Sequence, residues 1–322
     1  MASITFSQVT KRFPGADRPA VDTVSFTVPA DEICMLLGTS GSGKTTLLRM
    51  VNRLGDPTSG QVLIDGVPTT EQDPIHLRRG IGYVIQQVGL FPHLTVEDNV
   101  RLVPSITGEP AAKSRPRVEA LLRLVGLPPA EYRRRYPSQL SGGQAQRVGL
   151  ARALAADPAI LLMDEPFGSL DAITRGRMQQ ELLRMQQELH KTILFVTHDV
   201  DEALTLGDRI AVLAEGRLVQ VGTPVELLAT PANAFVRRLM GADSIVRQFE
   251  YLPVTLALDA AGVRPHAAES ITADTTLLEA LLRLIQSEQP ALVVEEAGRP
   301  IGHVTLGSIS RSVRRHRSGV QA

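Results

Sequence analysis

The chain has 322 residues, and its 34 Lys and Arg are balanced by 34 Asp and Glu, for a formal net charge of +0. That length allows a sizeable core and about two domains, while the charge balance argues against an electrostatically driven nucleic-acid binder. One cysteine, Cys34 in an apolar run, excludes an internal disulfide; the start Met1-Ala2-Ser3-Ile4-Thr5 lacks a signal-peptide pattern and no stretch approaches the ~18 apolar residues of a membrane span, so a soluble, cytoplasmic chain is expected.

Ile4 to Thr10, and Val24, Phe26 and Val28, alternate with polar residues as half-buried strands do and read as an antiparallel edge. Phe13, ahead of Pro14-Gly15, either covers core or offers a ring face to a purine. The apolar run Ile33 to Leu37 leads into Gly38-Thr39-Ser40-Gly41-Ser42-Gly43-Lys44-Thr45-Thr46, a match to G-x-x-x-x-G-K-[ST] with a helix expected from Lys44 through Leu54. Glycines there let several N–H groups converge, and the helix N-terminus adds roughly half a positive charge. Phosphates fit such a loop, with Lys44 reaching the β/γ-phosphates and the Thr45 hydroxyl placed on Mg²⁺.

Gly60 to Gly66 and Ile81 to Ile85 read as further strands, the second ending in Gln86-Gln87. A neutral amide at a strand end can reach both a metal and an attacking water. From Thr95, a plausible N-cap, the pattern turns helical, and Pro104, Pro110 and Pro116 are expected to break the region into short helices. Leu140-Ser141-Gly142-Gly143-Gln144 opens another helix with a capping box from Ser141 to Gln144. Its small residues leave the N–H groups uncovered for a second phosphate-bearing surface.

The fully apolar run Ile160 to Met163 has the character of a central parallel strand. It closes on Asp164-Glu165, two carboxylates whose proximity suggests a metal-and-water site. Asp171 follows in a tight turn, Ala172 to His190 forms a long amphipathic helix, and Thr192 to Val196 is a strand ending in Thr197-His198-Asp199. Ligands lie along that carboxyl edge in an open α/β sheet, so His198 is a candidate site residue as well as a candidate structural one.

With these stretches in order, residues 3 to 240 resemble the ATP-binding subunit of an ABC transporter: Walker A at 38–45, a Q-loop at Gln86, the signature at 140–144, Walker B at 160–164 with Glu165, a D-loop at Ser169-Leu170-Asp171 and an H-loop at His198. The resemblance implies a P-loop NTPase fold, α/β, with a mixed core sheet, an antiparallel edge and a helical subdomain at about 87–158. It implies a domain at 1–242 that binds ATP and Mg²⁺ and works as a head-to-tail homodimer. Phe13 would stack on adenine; Gly38, Thr39, Ser40, Gly41, Ser42, Gly43, Lys44, Thr45 and Thr46 would hold the phosphates. Thr45, Gln86 and Asp164 would arrange Mg²⁺. Glu165 would orient the attacking water, His198 would contact the γ-phosphate, and Ser141, Gly142, Gly143, Gln144 and Asp171 would meet the nucleotide held mainly by the other copy.

A narrower resemblance, carried by Asp73 to Arg79, Gly82 to His93 and Met163 to Thr174, is to the ATPases of osmoprotectant importers for glycine betaine, choline or carnitine. It implies peripheral attachment at the cytoplasmic face of the membrane. It also implies integral permease subunits docked on 86–104, an extracytoplasmic binding protein reached through the permease, and no direct contact with the transported solute. Amino-acid and methionine importers share the generic motifs. A soluble ABC ATPase acting on nucleic acid or ribosomes is the reading from another class, disfavoured because a single cassette is present with 97 residues from Lys44 to Ser141 (141 − 44).

Residues 243–322 carry a different pattern. Thr276-Leu277-Leu278-Glu279 starts a helix with Leu281, Leu282 and Ile285 expected on its inner side, followed by strands at Ala291 to Val294 and Ile301 to Thr305 and by Leu306 to Val313. This resembles one cystathionine-β-synthase (CBS) motif, a small α+β regulatory or dimerisation domain. Ser308 stands where that motif has a ribose-binding Asp, and a lone motif would pair with a second copy. Arg311, Arg314, Arg315, His316 and Arg317 could lie against an anionic membrane.

Overall fold

The computed structural model describes residues 2–86, 89–168, 170–259, 269–287 and 289–318, with side chains to 312. Gln87, Val88 and Ser169 and the basic side chains of 314–317 lie outside the described residues. Two compact units divide the chain, Met1–Val221 and Gly222–Ala322. The boundary expected after residue 242 therefore falls inside the second unit.

The first unit runs β1 (Ile4–Lys11), β2 (Val21–Val28), β3 (Ile33–Gly38), α1 (Lys44–Val51), β4 (Ser59–Ile64), β5 (Val67–Pro68), α2 (Pro74–Arg79) and β6 (Ile81–Val84). Five helices follow, α3 (Val96–Val100), α4 (Leu102–Ile106), α5 (Ala111–Leu124), α6 (Pro129–Tyr132) and α7 (Gly142–Leu154). The unit closes with β7 (Ile160–Asp164), α8 (Ala172–Leu189), β8 (Thr192–Thr197), α9 (Val200–Leu206), β9 (Arg209–Ala214) and β10 (Arg217–Gly222).

A six-stranded sheet has the order β10-β9-β3-β8-β7-β6. Its central strand β3 is buried along its whole length and pairs in parallel with β8 and β9, as an uninterrupted apolar run dictates. A second sheet, β2-β1-β4-β5, is antiparallel in its β1–β2 and β1–β4 pairs, so the antiparallel edge is present. Phe6 and Phe26 stack across it at 4.8 Å. The core between the sheets gathers Ile4, Phe6 and Val24 with Leu36, Leu47, Leu48, Leu162 and Val196 around α1. All four binding-competent loops, after β3, β6, β7 and β8, leave the carboxyl ends of parallel strands.

Two local expectations are corrected. Helix α1 ends at Val51, with Asn52 as C-cap, short of Leu54. Pro110 stands at a break, as the N-cap of α5, but Pro104 lies inside α4 and Pro116 inside α5, which continues through it with Val118 and Leu122 buried.

The second unit holds α10 (Pro224–Ala229), α11 (Ala234–Met240), α12 (Ile245–Tyr251), β11 (Ser270–Thr272), α13 (Leu277–Ser287), β12 (Leu292–Glu296), β13 (Arg299–Val304) and α14 (Leu306–Ser318). Its sheet, β11-β12-β13, joins a parallel pair to an antiparallel hairpin. On α13 the buried residues are Leu277, Ala280 and Leu284, whereas Leu282 is 46% and Ile285 58% exposed. The inner side expected from the sequence is thus the outer one: both stripes are apolar, and periodicity alone does not choose between them. Ser308 is the partner of the α14 cap Thr305: Thr305 N–H donates to Ser308 Oγ and Ser308 N–H to Thr305 Oγ1, each at 3.0 Å. Among the described residues no helix is long and apolar enough to cross a membrane.

Candidate functional site

The loop from β3 into α1 is shaped by glycine. Gly43, the α1 N-cap, has φ +98°, and a Cβ there would collide with the Ala20 carbonyl; at Gly38 a Cβ would meet the Leu213 carbonyl. Only glycine admits the backbone so closely. Ser42 is buried with its Oγ unpartnered among the described residues, a polar atom left for a ligand or water. Lys44 donates to the carbonyls of Gly38 at 2.8 Å and Thr39 at 2.9 Å. Burial pushes its pKa down, opposed by the nearby charges of Glu165 and Asp164.

Four strand ends converge on this loop. Thr45, one residue into α1, donates its hydroxyl to Asp164 Oδ1 at 2.8 Å across to the end of β7. Asp164 is 5% exposed, and burial raises its pKa against the lowering effect of the Thr45 bond. Glu165 follows in a left-handed conformation, φ +47°, its N–H donating to the Val196 carbonyl of β8 at 3.0 Å. Its two carboxylate oxygens are divided between neighbours: Gln86 Nε2, beyond β6, donates to Oε2 at 3.2 Å, and His198 Nδ1, beyond β8, lies 3.2 Å from Oε1. Residues 40–46 with Gln86, Glu165, His198 and Ala20 line a cavity of about 680 Å³.

These donors suit a nucleotide with Mg²⁺. Among the described residues no three His, Cys, Asp or Glu side chains group as a metal site. Mg²⁺ asks only for one or two protein oxygens plus phosphates and water, which the Thr45 hydroxyl and Asp164 carboxylate supply.

Ser141, Gly142, Gly143 and Gln144 lie elsewhere, at the start of α7. The expected capping box is formed: Gln144 N–H donates to Ser141 Oγ at 3.3 Å, and Ser141 N–H donates to Gln144 Oε1 at 2.9 Å. They border a second cavity of about 360 Å³ that also takes in Tyr132, Leu170, Asp171 and Thr174. Asp171 caps α8 by accepting the Thr174 N–H at 3.0 Å, and that bond holds its carboxyl below the usual range. A single copy thus brings Walker A, Gln86, Glu165 and His198 together and leaves the signature on a separate surface.

Phe13 is 48% exposed and outside the lining of either cavity, with Lys11 Nζ 5.4 Å from its ring centroid. Sequence reasoning missed Ala20, which presses on Gly43, and Tyr132, whose hydroxyl accepts from Gln144 Nε2 at 3.1 Å. Neither carries a local signal, since each reaches its place through tertiary packing.

The ABC transporter family profile matches residues 21–168. The osmoprotectant import ATP-binding protein OsmV of Salmonella typhimurium is 46% identical over 99% of this chain and 82% of its own length. The choline transport ATP-binding protein OpuBA of Bacillus subtilis is 45% identical over 96% and 80% respectively. Among solved structures, an ATP-binding cassette captured as a dimer in a post-hydrolysis state with ADP and Pi is 34% identical, with a TM-score of 0.62 over 69% of this chain and 98% of that one. Glycine-cradled loop, strand-end carboxylates and cassette fold agree with relatives that span nearly the whole chain, and the chain belongs to the ABC transporter ATP-binding family.

Proposed function

We propose that this chain is the ATP-hydrolysing subunit of an importer for osmoprotectant quaternary amines such as glycine betaine, choline or carnitine. One observation carries the hydrolytic part: Glu165 is held between Gln86 and His198 at 3.2 Å each, at the edge of a glycine-built phosphate cavity. The substrate class rests on the 46% identity with OsmV across the length of the chain.

In this reading residues 38–46 bind the triphosphate, and the exposed Phe13 ring offers a stacking face for adenine. Thr45, Asp164 and Gln86 would hold Mg²⁺, which when bound neutralises charge developing on the γ-phosphate. Glu165 orients and polarises the attacking water, and His198 fixes the Glu165 carboxylate while contacting the γ-phosphate. Phosphoryl transfer of this kind depends on positioning and charge stabilisation more than on covalent chemistry by the protein.

The bare α7 N-terminus, Ser141 with Gly143, donates to the γ-phosphate of a nucleotide seated on a second copy. Closure of the homodimer therefore depends on that phosphate, and its loss reopens the pair and moves permease subunits at the membrane. An external binding protein, working through the permease, selects the solute. The chain itself need not meet the solute: it has no Trp and 4% aromatics, too few for a quaternary-ammonium cage to be expected. The second unit serves as a CBS-like regulatory or dimerisation domain.

Glu165→Gln tests both halves. It should cut ATP turnover about 10²–10⁴-fold, the usual worth of a positioned base, and should trap a dimer in ATP and Mg²⁺ by light scattering. A variant that stays monomeric in saturating ATP overturns the sandwich. In cells, replacing the chain by this variant should abolish high-osmolarity uptake of labelled glycine betaine, choline or carnitine; unchanged uptake of all three overturns the substrate class.

A further inference from the structure

Arg175, one turn into α8, lies outside the phosphate cavity yet ties together two segments that border it. Its Nη2 donates to the Leu170 carbonyl at 3.2 Å, and its Nη1 donates to Asp199 Oδ2 at 3.1 Å. Leu170 belongs to the turn ahead of Asp171 that walls the signature-side cavity, and Asp199 immediately follows His198.

Asp199 is itself locked. Its Oδ1 accepts the N–H groups of Asp201 at 3.0 Å and Glu202 at 3.2 Å, and its own N–H donates to Thr197 Oγ1 at 3.0 Å. To these local bonds the guanidinium fork adds a tie from another helix, and His198 is the next residue back toward Glu165. Beside the pair is a small cavity of about 40 Å³ bordered by Glu165, Phe167, Arg175, His198 and Glu202. That is room for one water with polar partners, and Arg175 Nε is buried without a partner among the described residues.

We propose that Arg175 is a positioning residue for ATP hydrolysis, holding His198 against Glu165 through its two-pronged link between the Leu170 carbonyl and Asp199. The proposal rests on the reading of Glu165 and His198 as the hydrolytic pair. A planar fork is required because the two acceptors lie on different segments. A lysine at 175 keeps the charge, but its N–H groups all leave one nitrogen and do not reproduce the span between the two guanidinium nitrogens.

The test compares Arg175→Gln and Arg175→Lys by steady-state ATP hydrolysis in the wild-type and His198→Ala backgrounds. Arg175→Gln should lower kcat about tenfold or more while KM for ATP moves less than about threefold, because the fork acts on the transition state and not on nucleotide binding. Arg175→Lys should fall between the wild type and Arg175→Gln. In the His198→Ala background the same Gln substitution should cost less than about threefold, the non-additivity expected of residues acting in series. Equal fold-losses in the two backgrounds, or Arg175→Gln with kcat within about twofold of wild type, overturn the proposal. Should Arg175→Gln fail to fold, wild-type kcat in Arg175→Lys overturns it as well. A wild-type chain without ATPase activity would instead overturn the hydrolytic reading on which the proposal stands.

Discussion

A carboxylate is useful beside a triphosphate only where its neighbours hold it in place to orient a water. Glu165 meets that condition at a backbone cost: a non-glycine residue at φ +47° is strained by about 1–3 kcal/mol and persists because the Val196 carbonyl fixes its N–H. Across the small cavity that both border, Glu202 presents the opposite case. It is 5% exposed, accepts from Gln179 Nε2 at 3.3 Å, and burial raises its pKa despite bonds from Thr197 and Gln179. Its native form therefore keeps a proton to higher pH than the unfolded chain does. Stability is full below the unfolded value, near ~4.3, and is lost as pH rises through the raised native value. Glu202→Gln, which cannot ionise, should melt a few degrees above the wild type at pH 7.5 and level with it near pH 4. A calorimetric Tm difference that is the same at both pH values would remove burial as the cause. The residues at strand ends were legible because each stands in a short run of contrasting chemistry, Asp164-Glu165 after four apolar residues being the clearest. Arg175 and Glu202 were not: they lie in the first turns of α8 and α9, where a charged residue is ordinary, and only tertiary packing makes one a bridge and the other a buried acid.

At the scale of elements, the site depends on how closely β6 approaches β7, since Gln86 leaves one strand and Glu165 the other. At Gly82 β6 has no room for a side chain. A Cβ at Gly82 would lie 2.6 Å from the Ala153 carbonyl and 3.1 Å from Pro158 Cγ, and would press on Leu161 Cδ2. Gly82→Ala should therefore destabilise the first unit by about 1–3 kcal/mol, the usual cost of overpacking. It should also lower kcat, as β6 shifts and the 3.2 Å contact of Gln86 with Glu165 opens. Urea unfolding and turnover measured on the same preparation check this; an unchanged midpoint would mean that the strands separate without cost. Strands such as β3, β7 and β8 were readable from apolar runs, and the α7 capping box from Ser141 and Gln144 alone, whereas β9 and β10 were not read from the sequence. What sequence order does not encode is which strands become neighbours: β6 and β7 are separated by five helices and meet in parallel only in the fold. The continuity of α5 through Pro116 escaped for a related reason, since buried neighbours outweigh one lost backbone bond.

For the molecule as a whole, the signature and phosphate surfaces of one copy do not meet, so ATP alone would hold two copies together through the first unit. The second unit, proposed above as a dimerisation domain, would supply a different means. Helix α13 is apolar on two sides: Leu277, Ala280 and Leu284 are buried, while Leu278 and Leu281 are half-buried and Leu282 and Ile285 exposed. A helix apolar all round is normally covered on both sides. The stripe 278-281-282-285 follows i, i+3, i+4, i+7 spacing, and a two-fold axis through it would set the stripe against its own copy. Each Leu or Ile side chain fully removed from water contributes about 1.5–3 kcal/mol, part of which is offset by lost translational and rotational freedom, so two copies of this stripe are expected to associate without nucleotide. The double substitution Leu282→Asp, Ile285→Asp should then weaken nucleotide-free dimerisation about tenfold or more, read by sedimentation across a concentration series. In a Glu165→Gln background the ATP-trapped dimer should survive, because it is held by the phosphate. A nucleotide-free chain that sediments as a monomer at every concentration would assign the stripe to another occupant, and loss of the ATP-trapped dimer would show that the two means of association are one.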